Sequence, residues 1–281
     1  PMKVVMDCGN AAASINAPKI FNELGVHLTE LYCEPDGSFP NHHPDPTVEE
    51  NLLDLISLMK TGEYDVGIAF DGDADRLGVV DETGEIIWAD QLIALLLPEV
   101  IEPGDKIIFD VKCSQALEDM IKKYKGEPVM WKTGHSLIKN KMAESNCKLG
   151  GEMSGHIFFA DDYFGYDDAI YVAARLIQML SKTDKTLSEL KSVIPIYHST
   201  PEIRLEAESD EEKFKIAKLA VEYFIENHNC NTIDGVRIQY ENGWGLVRAS
   251  NTQPVIVCRF EGDTPERMNE IKNIVLDKLQ E

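Results

Sequence analysis

Positive charge is scarce in this 281-residue sequence relative to negative charge: 27 Lys and Arg stand against 49 Asp and Glu, which gives a formal charge of −22 at pH 7. Nucleic acids are bound by basic surfaces, and a field this negative repels phosphate backbones. The balance excludes a nucleic-acid-binding protein. It also means that binding of an anion must depend on a few local cations.

Long apolar runs are missing too. The most apolar segment, Leu92–Val100, is about half of a bilayer span and includes Pro98 and Glu99. The amino end lacks the charged and then apolar pattern of a secretory leader. We therefore expect no membrane span and no membrane partner.

Closely spaced cysteines are also absent. Six cysteines are scattered over the chain without a C-x-x-C spacing: Cys8, Cys33, Cys113, Cys147, Cys230 and Cys258. This spacing argues against a zinc site or a disulfide framework. We expect reduced packing residues in a cytoplasmic protein.

What the sequence does contain is a regular alternation of strands and helices. Strands are predicted at Lys3–Asp7, Val26–Leu31, Tyr64–Phe70, Lys106–Asp110, Pro128–Trp131 and Ile157–Phe159. Helical segments separate them, and Thr47 and Glu50 open one of these with a capping-box pattern. Tyr64–Phe70 is apolar on both faces, as a central parallel strand is. This order is typical of doubly wound sheets.

After Thr200 and Pro201 the order changes to β-α-β-β-β-α, which is typical of an α+β unit. The predicted fold class is α/β, with two tandem doubly wound mixed-sheet α/β domains followed by a smaller α+β domain. We place these domains at residues 1–86, 87–199 and 200–281.

Three carboxylates, Asp71, Asp73 and Asp75, come directly after the strand that ends at Phe70. In an extended chain, side chains two residues apart point the same way, so three negative charges converge. Such a cluster is costly unless a hard cation such as Mg²⁺ neutralises it, and α/β sheets place ligands at the carboxyl ends of their strands. Arg76 would bind a phosphate beside the metal.

Other interpretations of this segment remain. The charged positions from Asp71 to Glu82 match a calcium-binding EF-hand loop, but Arg76 stands where that loop needs glycine, and a strand precedes it instead of a helix. Haloacid-dehalogenase-type phosphatases also carry Asp-x-Asp after a strand, which would make Asp71 a nucleophile. In those enzymes the motif usually follows the first strand of the domain. A solvated acidic turn is the remaining alternative.

The second candidate site is the glycine-rich segment Gly150–His156. Its three glycines would let the backbone approach a ligand, while Glu152, Ser154 and His156 offer alternating polar groups on one side. A carboxylate accepts two hydrogen bonds at once, which suits neighbouring hydroxyls of a sugar ring. Taken alone, the segment could equally be a tight turn that binds nothing.

The third candidate lies between two predicted strands, where the chain carries Arg248, Ser250, Asn251 and Thr252. A guanidinium, two hydroxyls, an amide and loop N–H groups make a compact anion-binding site. A polar hairpin loop is the alternative.

Five further polar residues are candidates. Lys112 and His135 each follow a predicted strand, at the edge where a doubly wound sheet binds its ligands. His42 and His43, with Asp45, would suit a transition metal. The flanking prolines favour a rigid, shaped loop instead.

Together, three segments resemble the α-D-phosphohexomutase family: Asp71–Arg76, Gly151–His156 and Arg248–Thr252. Further similar stretches occur across the chain, at Phe39–Pro46, Asp110–Cys113, Trp131–Ser136 and Gly243–Arg248. Glu152-Met-Ser154 is similar to the mannose and glucose branch, since phosphoglucosamine mutases usually carry Glu-Gln-Ser.

The resemblance implies a monomeric isomerase that interconverts mannose or glucose 1-phosphate and the 6-phosphate through a hexose 1,6-bisphosphate. It implies Mg²⁺ between a phosphoserine and Asp71, Asp73 and Asp75. Arg76, Lys112 and His135 would line the reacting centre, with His135 transferring a proton or contacting phosphate. Two sets of residues would bind the sugar hydroxyls and the non-reacting phosphate: Glu152, Ser154 and His156, and Arg248, Ser250, Asn251 and Thr252.

One departure from the family bears on activity. The phosphoserine of the family lies in a Ser-His-Asn-Pro-like motif on its first domain, and this sequence contains no such motif. The chain therefore resembles the second to fourth domains alone, and we expect it to be inactive without the phosphoserine domain as its partner. A sugar-phosphate-binding fragment, and a phosphatase that uses Asp71, remain as alternatives. We expect the three segments to face a common cleft.

Overall fold

The computed structural model of the chain describes residues 1–251 and 253–280. They form two compact units. The first unit comprises Pro1–Phe109, Leu117–Val129 and Gly134–Ile194, and the second comprises Asp110–Ala116, Met130–Thr133 and the chain from Pro195 onward. Among the described helices, none has the length and apolar character that a bilayer span needs.

The first sheet of the first unit has the strand order β2-β1-β3-β4-β5. Its strands are β1 (Lys3–Asp7), β2 (His27–Leu31), β3 (Val66–Phe70), β4 (Leu77–Asp81) and β5 (Ile86–Ile87), with helices α1 (Ala17–Glu23) and α2 (Leu53–Met59) between them. β1 pairs in parallel with β2 and β3, whereas β4 and β5 add antiparallel pairs. All of β3 is buried, because it lies inside the sheet and α2 packs on it.

The helix predicted to begin at Thr47 begins later. The chain first makes a 3₁₀ turn over Glu49–Leu52, and α2 starts at Leu53 without a side-chain cap. The Thr47 hydroxyl and N–H both donate to Asp45 Oδ1, at 2.7 and 3.0 Å. The predicted capping box is therefore wrong, because Thr47 bonds locally inside the preceding loop instead.

The second sheet has the strand order β7-β6-β8-β9. Its elements, with the neighbouring helices, are α3 (Ala89–Val100), β6 (Lys106–Asp110), α4 (Gln115–Lys123), β7 (Glu127–Trp131), α5 (His135–Ser145), β8 (Leu149–Gly151), β9 (Ile157–Phe159), α6 (Ala169–Ser181) and α7 (Leu187–Lys191). β8 is parallel to β6 and antiparallel to β9, so this sheet is mixed as well.

Strand β8 was not predicted from the sequence, because two of its three residues are glycines. A Cβ on Gly150 would lie 2.7 Å from Met142 Sδ and 2.8 Å from Ile108 O, and one on Gly151 would lie 2.7 Å from Ile93 Cδ1. These two glycines therefore allow helices to pack closely on the sheet. The prediction that the glycines of this segment bring the backbone close to a ligand stays a prediction.

The second unit is built on an antiparallel sheet in the order β10-β15-β14-β13-β12, with β11 also paired to β15. Its elements are β10 (His198–Ser199), β11 (Ile203–Glu206), α8 (Asp210–Asn227), β12 (Asn229–Asn231), β13 (Val236–Tyr240), β14 (Gly243–Ala249), β15 (Val255–Gly262) and α9 (Pro265–Gln280). Residues of α8 and α9, including Phe224 and Val275, form a core with Ile238 and Phe260 of the sheet.

The segment Asp110–Ala116 belongs to this second unit through buried polar contacts. The Arg237 guanidinium donates to the carbonyls of Val111 and Cys113, at 2.6 and 2.8 Å, and lies over the Trp244 ring. Glu261 accepts from the Gln115 N–H at 2.8 Å. A segment that follows a strand of the second sheet is thus held by the side chains of the α+β unit.

The predicted fold class is confirmed: two mixed α/β sheets precede an α+β region. The three domain ranges stay a prediction, since compactness places the first two sheets in one unit.

Candidate functional site

The loop between β3 and β4 brings the three aspartates together. Oxygens of Asp71, Asp73 and Asp75 lie within 4.8 Å of one another. Asp71 is 1% exposed, and its Oδ1 accepts the N–H groups of Asp75 and Arg76, both at 3.0 Å. Ala74 has a φ of +64°. The carboxylates therefore converge because the loop turns back on itself, and not because the chain is extended.

Arg76 is engaged with carboxylates. Its Nε donates to Asp71 Oδ2 at 2.6 Å, and its Nη1 lies 3.3 Å from Asp45 Oδ1. Burial would lower the pKa of Arg76, but the charges of Asp71, Asp45 and Asp75 outweigh it and raise the pKa. The guanidinium thus stays charged and offsets part of the negative charge in the loop.

The crowding of the three carboxylates changes the protonation of Asp75. Burial, together with the charges of Asp71 and Asp73, raises the pKa of Asp75 to about 7, although His156 acts in the opposite direction. Three carboxylates this close resist full ionisation unless a cation is added. A divalent ion with oxygen ligands would relieve that repulsion, so the donor set fits a hard cation.

The segment 152–156 packs directly on the aspartate loop. The Leu77 N–H donates to Gly155 O at 3.2 Å. Gly155 has a φ of +104°, and a Cβ there would lie 3.2 Å from Arg76 Cβ and 3.3 Å from Leu77 O. Both the backbone conformation and the close approach favour glycine at this position. Two of the three predicted motifs therefore meet inside the first unit.

Residues 152–156 form a closed turn. The Glu152 N–H donates to His156 O at 2.8 Å, and the Gly155 N–H donates to Glu152 O at 3.1 Å. The segment is therefore a turn and not a strand, and the prediction that Glu152, Ser154 and His156 offer polar groups on one side stays a prediction. Glu152 is 2% exposed, and its Oε1 accepts the Gly134 N–H at 2.6 Å. Ser154 is half-buried.

His156, the last residue of this turn, and the neighbouring His135 share one carboxylate. The rings of His135 and His156 stack with centroids 5.5 Å apart. The Nδ1 atom of each lies 3.2 Å from Asp167 Oδ2, and His156 Nδ1 is also 3.6 Å from Asp75 Oδ1. The Lys139 ammonium lies 2.7 Å from Asp167 Oδ1. Close polar contacts thus connect the two histidines, through Asp167 and His156, to Asp75 of the aspartate triplet.

Burial would lower the pKa of His156, but its contacts with Asp167 and Asp75 outweigh burial and raise that pKa. Burial would raise the pKa of Asp167, but the contacts with His156 and Lys139 outweigh burial and hold that pKa well below its usual range. Asp75, His156 and Asp167 form a second group whose potential ligand atoms lie within 4.8 Å of one another.

Asp167 was missed by sequence reasoning. The adjacent Asp168 is the N-cap of α6 and accepts the Tyr171 N–H at 3.0 Å. A helix start uses one capping carboxylate, so the doubled aspartate at this position was the available signal that one of them serves something else.

The Arg248 site lies in the second unit. Arg248 is 4% exposed, and its Nε lies 3.0 Å from Asp234 Oδ2. The same oxygen accepts the Thr133 N–H at 3.0 Å, and the Asn251 amide donates to Thr133 O at 3.1 Å. Within residues 1–251 and 253–280, the buried Arg248 Nη2 has no hydrogen-bond partner. A desolvated, unpaired guanidinium nitrogen is suited to an anion.

The backbone around this site is tightly constrained. Gly235 has a φ of +69°, and a Cβ there would lie only 2.2 Å from Val247 O and 2.7 Å from Arg248 Cα. Glycine therefore lets Asp234 approach the arginine. Ser250 Oγ accepts the Gln253 N–H at 3.3 Å. Thr252, which we predict as a phosphate contact, lies outside the described residues.

Lys112 also belongs to the second unit. Its ammonium lies 2.9 Å from Glu202 Oε1 and 3.7 Å from Asp110 Oδ2, and its side chain is 9% exposed. Burial would raise the pKa of Glu202, but Lys112 outweighs it and lowers that pKa. Sequence reasoning placed Lys112 at a reacting centre and missed Glu202 as its partner.

His42 has a structural environment. Its Nε2 lies 3.0 Å from Asp7 Oδ2, and its Nδ1 lies 3.0 Å from the His43 carbonyl. The contact with Asp7 raises the pKa of His42 despite burial. Both ring nitrogens are thus engaged in shaping the proline-rich loop.

Comparison with known families and structures gives consistent matches. Three phosphoglucomutase/phosphomannomutase family models match: alpha/beta/alpha domain II at residues 1–84, alpha/beta/alpha domain III at 88–197 and the C-terminal domain at 202–278. A Pseudomonas aeruginosa phosphomannomutase/phosphoglucomutase is 51% identical over this whole chain, which spans 61% of that protein. A Neisseria meningitidis phosphoglucomutase is 46% identical over 97% of this chain and 60% of its own length.

A solved structure agrees with them. A phosphoglucomutase/phosphomannomutase family protein from Burkholderia thailandensis superposes with a TM-score of 0.91 at 41% identity, over 100% of this chain and 61% of that one. This chain therefore spans about three fifths of the relatives that it matches.

Proposed function

Because this chain belongs to the phosphoglucomutase/phosphomannomutase family, we propose that it is the body of a hexose-phosphate mutase. The reaction is interconversion of mannose or glucose 1-phosphate and the 6-phosphate through a hexose 1,6-bisphosphate. The observation that carries the proposal is the hydrogen bond from Leu77 to Gly155, which joins the aspartate loop to the Glu152 turn. A metal-suited site and a hydroxyl-binding site in contact are what a sugar-phosphate enzyme needs.

We propose Mg²⁺ as the ion held by Asp71, Asp73 and Asp75. The convergence of the three carboxylates supports this. Burial and the charges of Asp71 and Asp73 raise the pKa of Asp75, and a bound cation would favour its ionised form. Bound there, Mg²⁺ would supply a Lewis acid for a phosphoryl oxygen. Arg76 lies at the same loop and would add a fixed positive charge next to it.

The remaining residues would orient the sugar. Phosphoryl transfer depends mainly on positioning and on stabilising charge around an in-line nucleophile. Glu152, Ser154 and His156 would hold sugar hydroxyls, and His135 would hold or move a proton next to them. Arg248, Ser250, Asn251 and Thr252 would bind the phosphate that is not reacting, so that the sugar can bind in either of two orientations. Lys112 would line the reacting centre with Arg76 and His135.

The nucleophilic serine would come from the part of the relatives that this chain does not cover. For this reason a second function stays open, namely that the chain alone binds sugar phosphate without converting it. The third alternative, an Asp71 nucleophile, is disfavoured: Asp71 is buried, and both of its oxygens already accept hydrogen bonds. We also retain residues 1–86, 87–199 and 200–281 as three domains, which the three matched ranges support.

The test is an assay of the complete gene product with Mg²⁺ and glucose 1,6-bisphosphate, on glucose 1-phosphate and mannose 1-phosphate. We expect hexose 6-phosphate from both sugars, and turnover of neither would refute the mutase. In parallel, calorimetry measures the binding of glucose 1-phosphate and mannose 1-phosphate to the 281-residue chain. Binding by the chain without turnover by the complete product would favour the binding function. Phosphate release that Asp71→Asn abolishes would favour the phosphatase.

A further inference from the structure

Two cysteines that lie far apart in the sequence are in contact in the first unit. Cys8 follows the last residue of β1, and Cys33 lies two residues beyond β2. Their Sγ atoms are 3.2 Å apart, and both thiols are free. A disulfide bond is about 2.05 Å long, so the sulfurs need to approach by only about 1 Å. We propose that Cys8 and Cys33 are an oxidation site at which a peroxide forms a reversible disulfide.

The backbone explains why the two thiols meet. The Cys8 N–H donates to Leu31 O at 3.1 Å, which continues the parallel pairing of β1 and β2. Tyr32 then adopts a φ of +53°, in the left-handed region. This residue turns the chain so that Cys33 Sγ lies 3.3 Å from Leu31 O and beside Cys8. Local geometry on both strands thus holds the pair in place.

The two thiols differ in access. Cys33 is half-buried, whereas Cys8 is fully buried. The hydrogen bond with Cys33 and burial both raise the pKa of Cys8. Because the thiolate is the nucleophile, Cys33 is the residue that a peroxide oxidises first, and Cys8 is the resolving residue.

The chemistry balances with hydrogen peroxide as oxidant. The Cys33 sulfur attacks one peroxide oxygen, the O–O bond breaks, and a sulfenic acid and one water result. The Cys8 sulfur then attacks the Cys33 sulfur, the S–S bond forms, and the S–O bond breaks. The departing hydroxide takes the Cys8 proton to give the second water. Two thiols are oxidised and one peroxide is reduced.

The bond would restrain a loop that reaches the aspartate site. The segment after Cys33 is held to the loop that follows β1 by Asn10, whose amide donates to Glu34 O at 2.8 Å. Further along the same loop, Asp45 contacts Arg76. A covalent link at the start of this loop removes conformational freedom from the unfolded chain, so we expect the oxidised form to melt a few degrees higher than the reduced form.

The test treats the reduced chain with a small excess of hydrogen peroxide, alkylates the remaining thiols, and maps peptides by mass spectrometry without reduction. We expect two of the six thiols to be lost, a mass decrease of two hydrogens, and a peptide that links Cys8 to Cys33. Dithiothreitol should restore both thiols and the original melting temperature.

Two variants complete the test. Cys33→Ser should abolish the linkage and the melting shift, whereas Cys230→Ser, which changes another half-buried cysteine, should leave both intact. The proposal is overturned if Cys33 accumulates as sulfinic acid while Cys8 stays free. It is equally overturned if Cys33 pairs with another cysteine, or if both thiols survive peroxide that oxidises Cys230.

Discussion

The aspartate loop of the first unit has an excess of negative charge, whereas the Arg248 site of the second unit has a cationic group that is not fully paired. In the loop, three carboxylates crowd together, and burial with its acidic neighbours raises the pKa of Asp75 to about 7. At Arg248, a buried guanidinium nitrogen has no hydrogen-bond partner within residues 1–251 and 253–280. One site is suited to a cation and the other to an anion.

This difference shows how an acidic chain can accommodate a phosphorylated ligand. The formal charge of −22 is unfavourable to anions in general. The unfavourable field is overcome only where a cationic side chain is desolvated and kept from full neutralisation. Arg248 meets that condition better than Arg76, whose guanidinium already contacts Asp71, Asp45 and Asp75.

Each site depends on one glycine, and replacing either glycine by alanine should lower the unfolding free energy more than any other change considered below. Gly235→Ala places a Cβ 2.2 Å from a backbone oxygen at a φ of +69°, and we expect a loss of about 3 kcal/mol in unfolding free energy of the second unit. Gly155→Ala has looser contacts, 3.2 and 3.3 Å at a φ of +104°, and should cost about 2 kcal/mol. Urea unfolding measures both.

Gly25→Ala is the matched control, because Gly25 has a φ of +80° with no atom within 4 Å of the added Cβ. It should cost only about 1 kcal/mol. Equal losses for all three variants would mean that backbone conformation alone matters, and that close approach at the two sites does not.

Arg248, whose Nη2 has no hydrogen-bond partner among the described residues, should dominate anion binding. Arg248→Met removes a charge-assisted hydrogen-bond donor, which is worth about 1.5 to 3 kcal/mol, so affinity for a hexose phosphate should fall about 10- to 150-fold. Calorimetry on the chain measures this. Arg267→Met is the control, because Arg267 contacts Glu270 on α9 of the same unit. If both variants bind equally well, Arg248 does not hold the phosphate.

The cation site should respond to metal. At a free Mg²⁺ concentration about ten times the dissociation constant, binding should stabilise the chain by about 1.4 kcal/mol, seen as a higher melting temperature. Asp73→Asn should lose this protection, since it removes one of the three clustered carboxylates. Asp263→Asn, an exposed position in the second unit, should retain it. Protection that survives Asp73→Asn would place the metal elsewhere.

Without metal, the two units should respond to pH with opposite sign. The pKa of Asp75 is raised in the folded chain to about 7, so its contribution to stability is present at low pH and is lost as the pH rises towards 7. The pKa of Glu202 is lowered, so its contribution is present above its unfolded value of 4.5 and is lost as the pH falls below that value.

Each group changes stability by at most about 1.4 kcal/mol per pH unit, and solvent screening makes the effect smaller. Urea unfolding across a pH series measures it. Asp75→Asn should reduce the loss of stability as the pH rises towards 7. Glu202→Gln should reduce the loss of stability as the pH falls below 4.5. Unchanged slopes in both variants would contradict these charge assignments.

Much of the architecture was accessible from the sequence because its signals are local. The predicted strands at Lys3–Asp7 and Lys106–Asp110 coincide with β1 and β6. Apolar runs and helical spacing act within a few residues. β8 was missed for the opposite reason: its glycines carry no strand signal, and their value lies in distant partners such as Met142.

The sites show the same division. The motif residues Asp71, Asp73 and Asp75 were identified because three carboxylates occur within five consecutive residues of the sequence. The partners Asp167 and Asp234 were missed because each contacts residues far away in the sequence, His156 and Arg248 among them. Nothing in a carboxylate's immediate neighbours reports such a pairing.

By itself, the sequence determined the charge balance, the succession of elements and the residue types that bind a cation, a hydroxyl or an anion. The tertiary structure alone decided that Gly155 joins two of these motifs, that Asp167 connects two histidines, and that Cys8 meets Cys33. The physical reason is range: backbone preferences act over a few residues, whereas side-chain pairing depends on which strands and turns pack together.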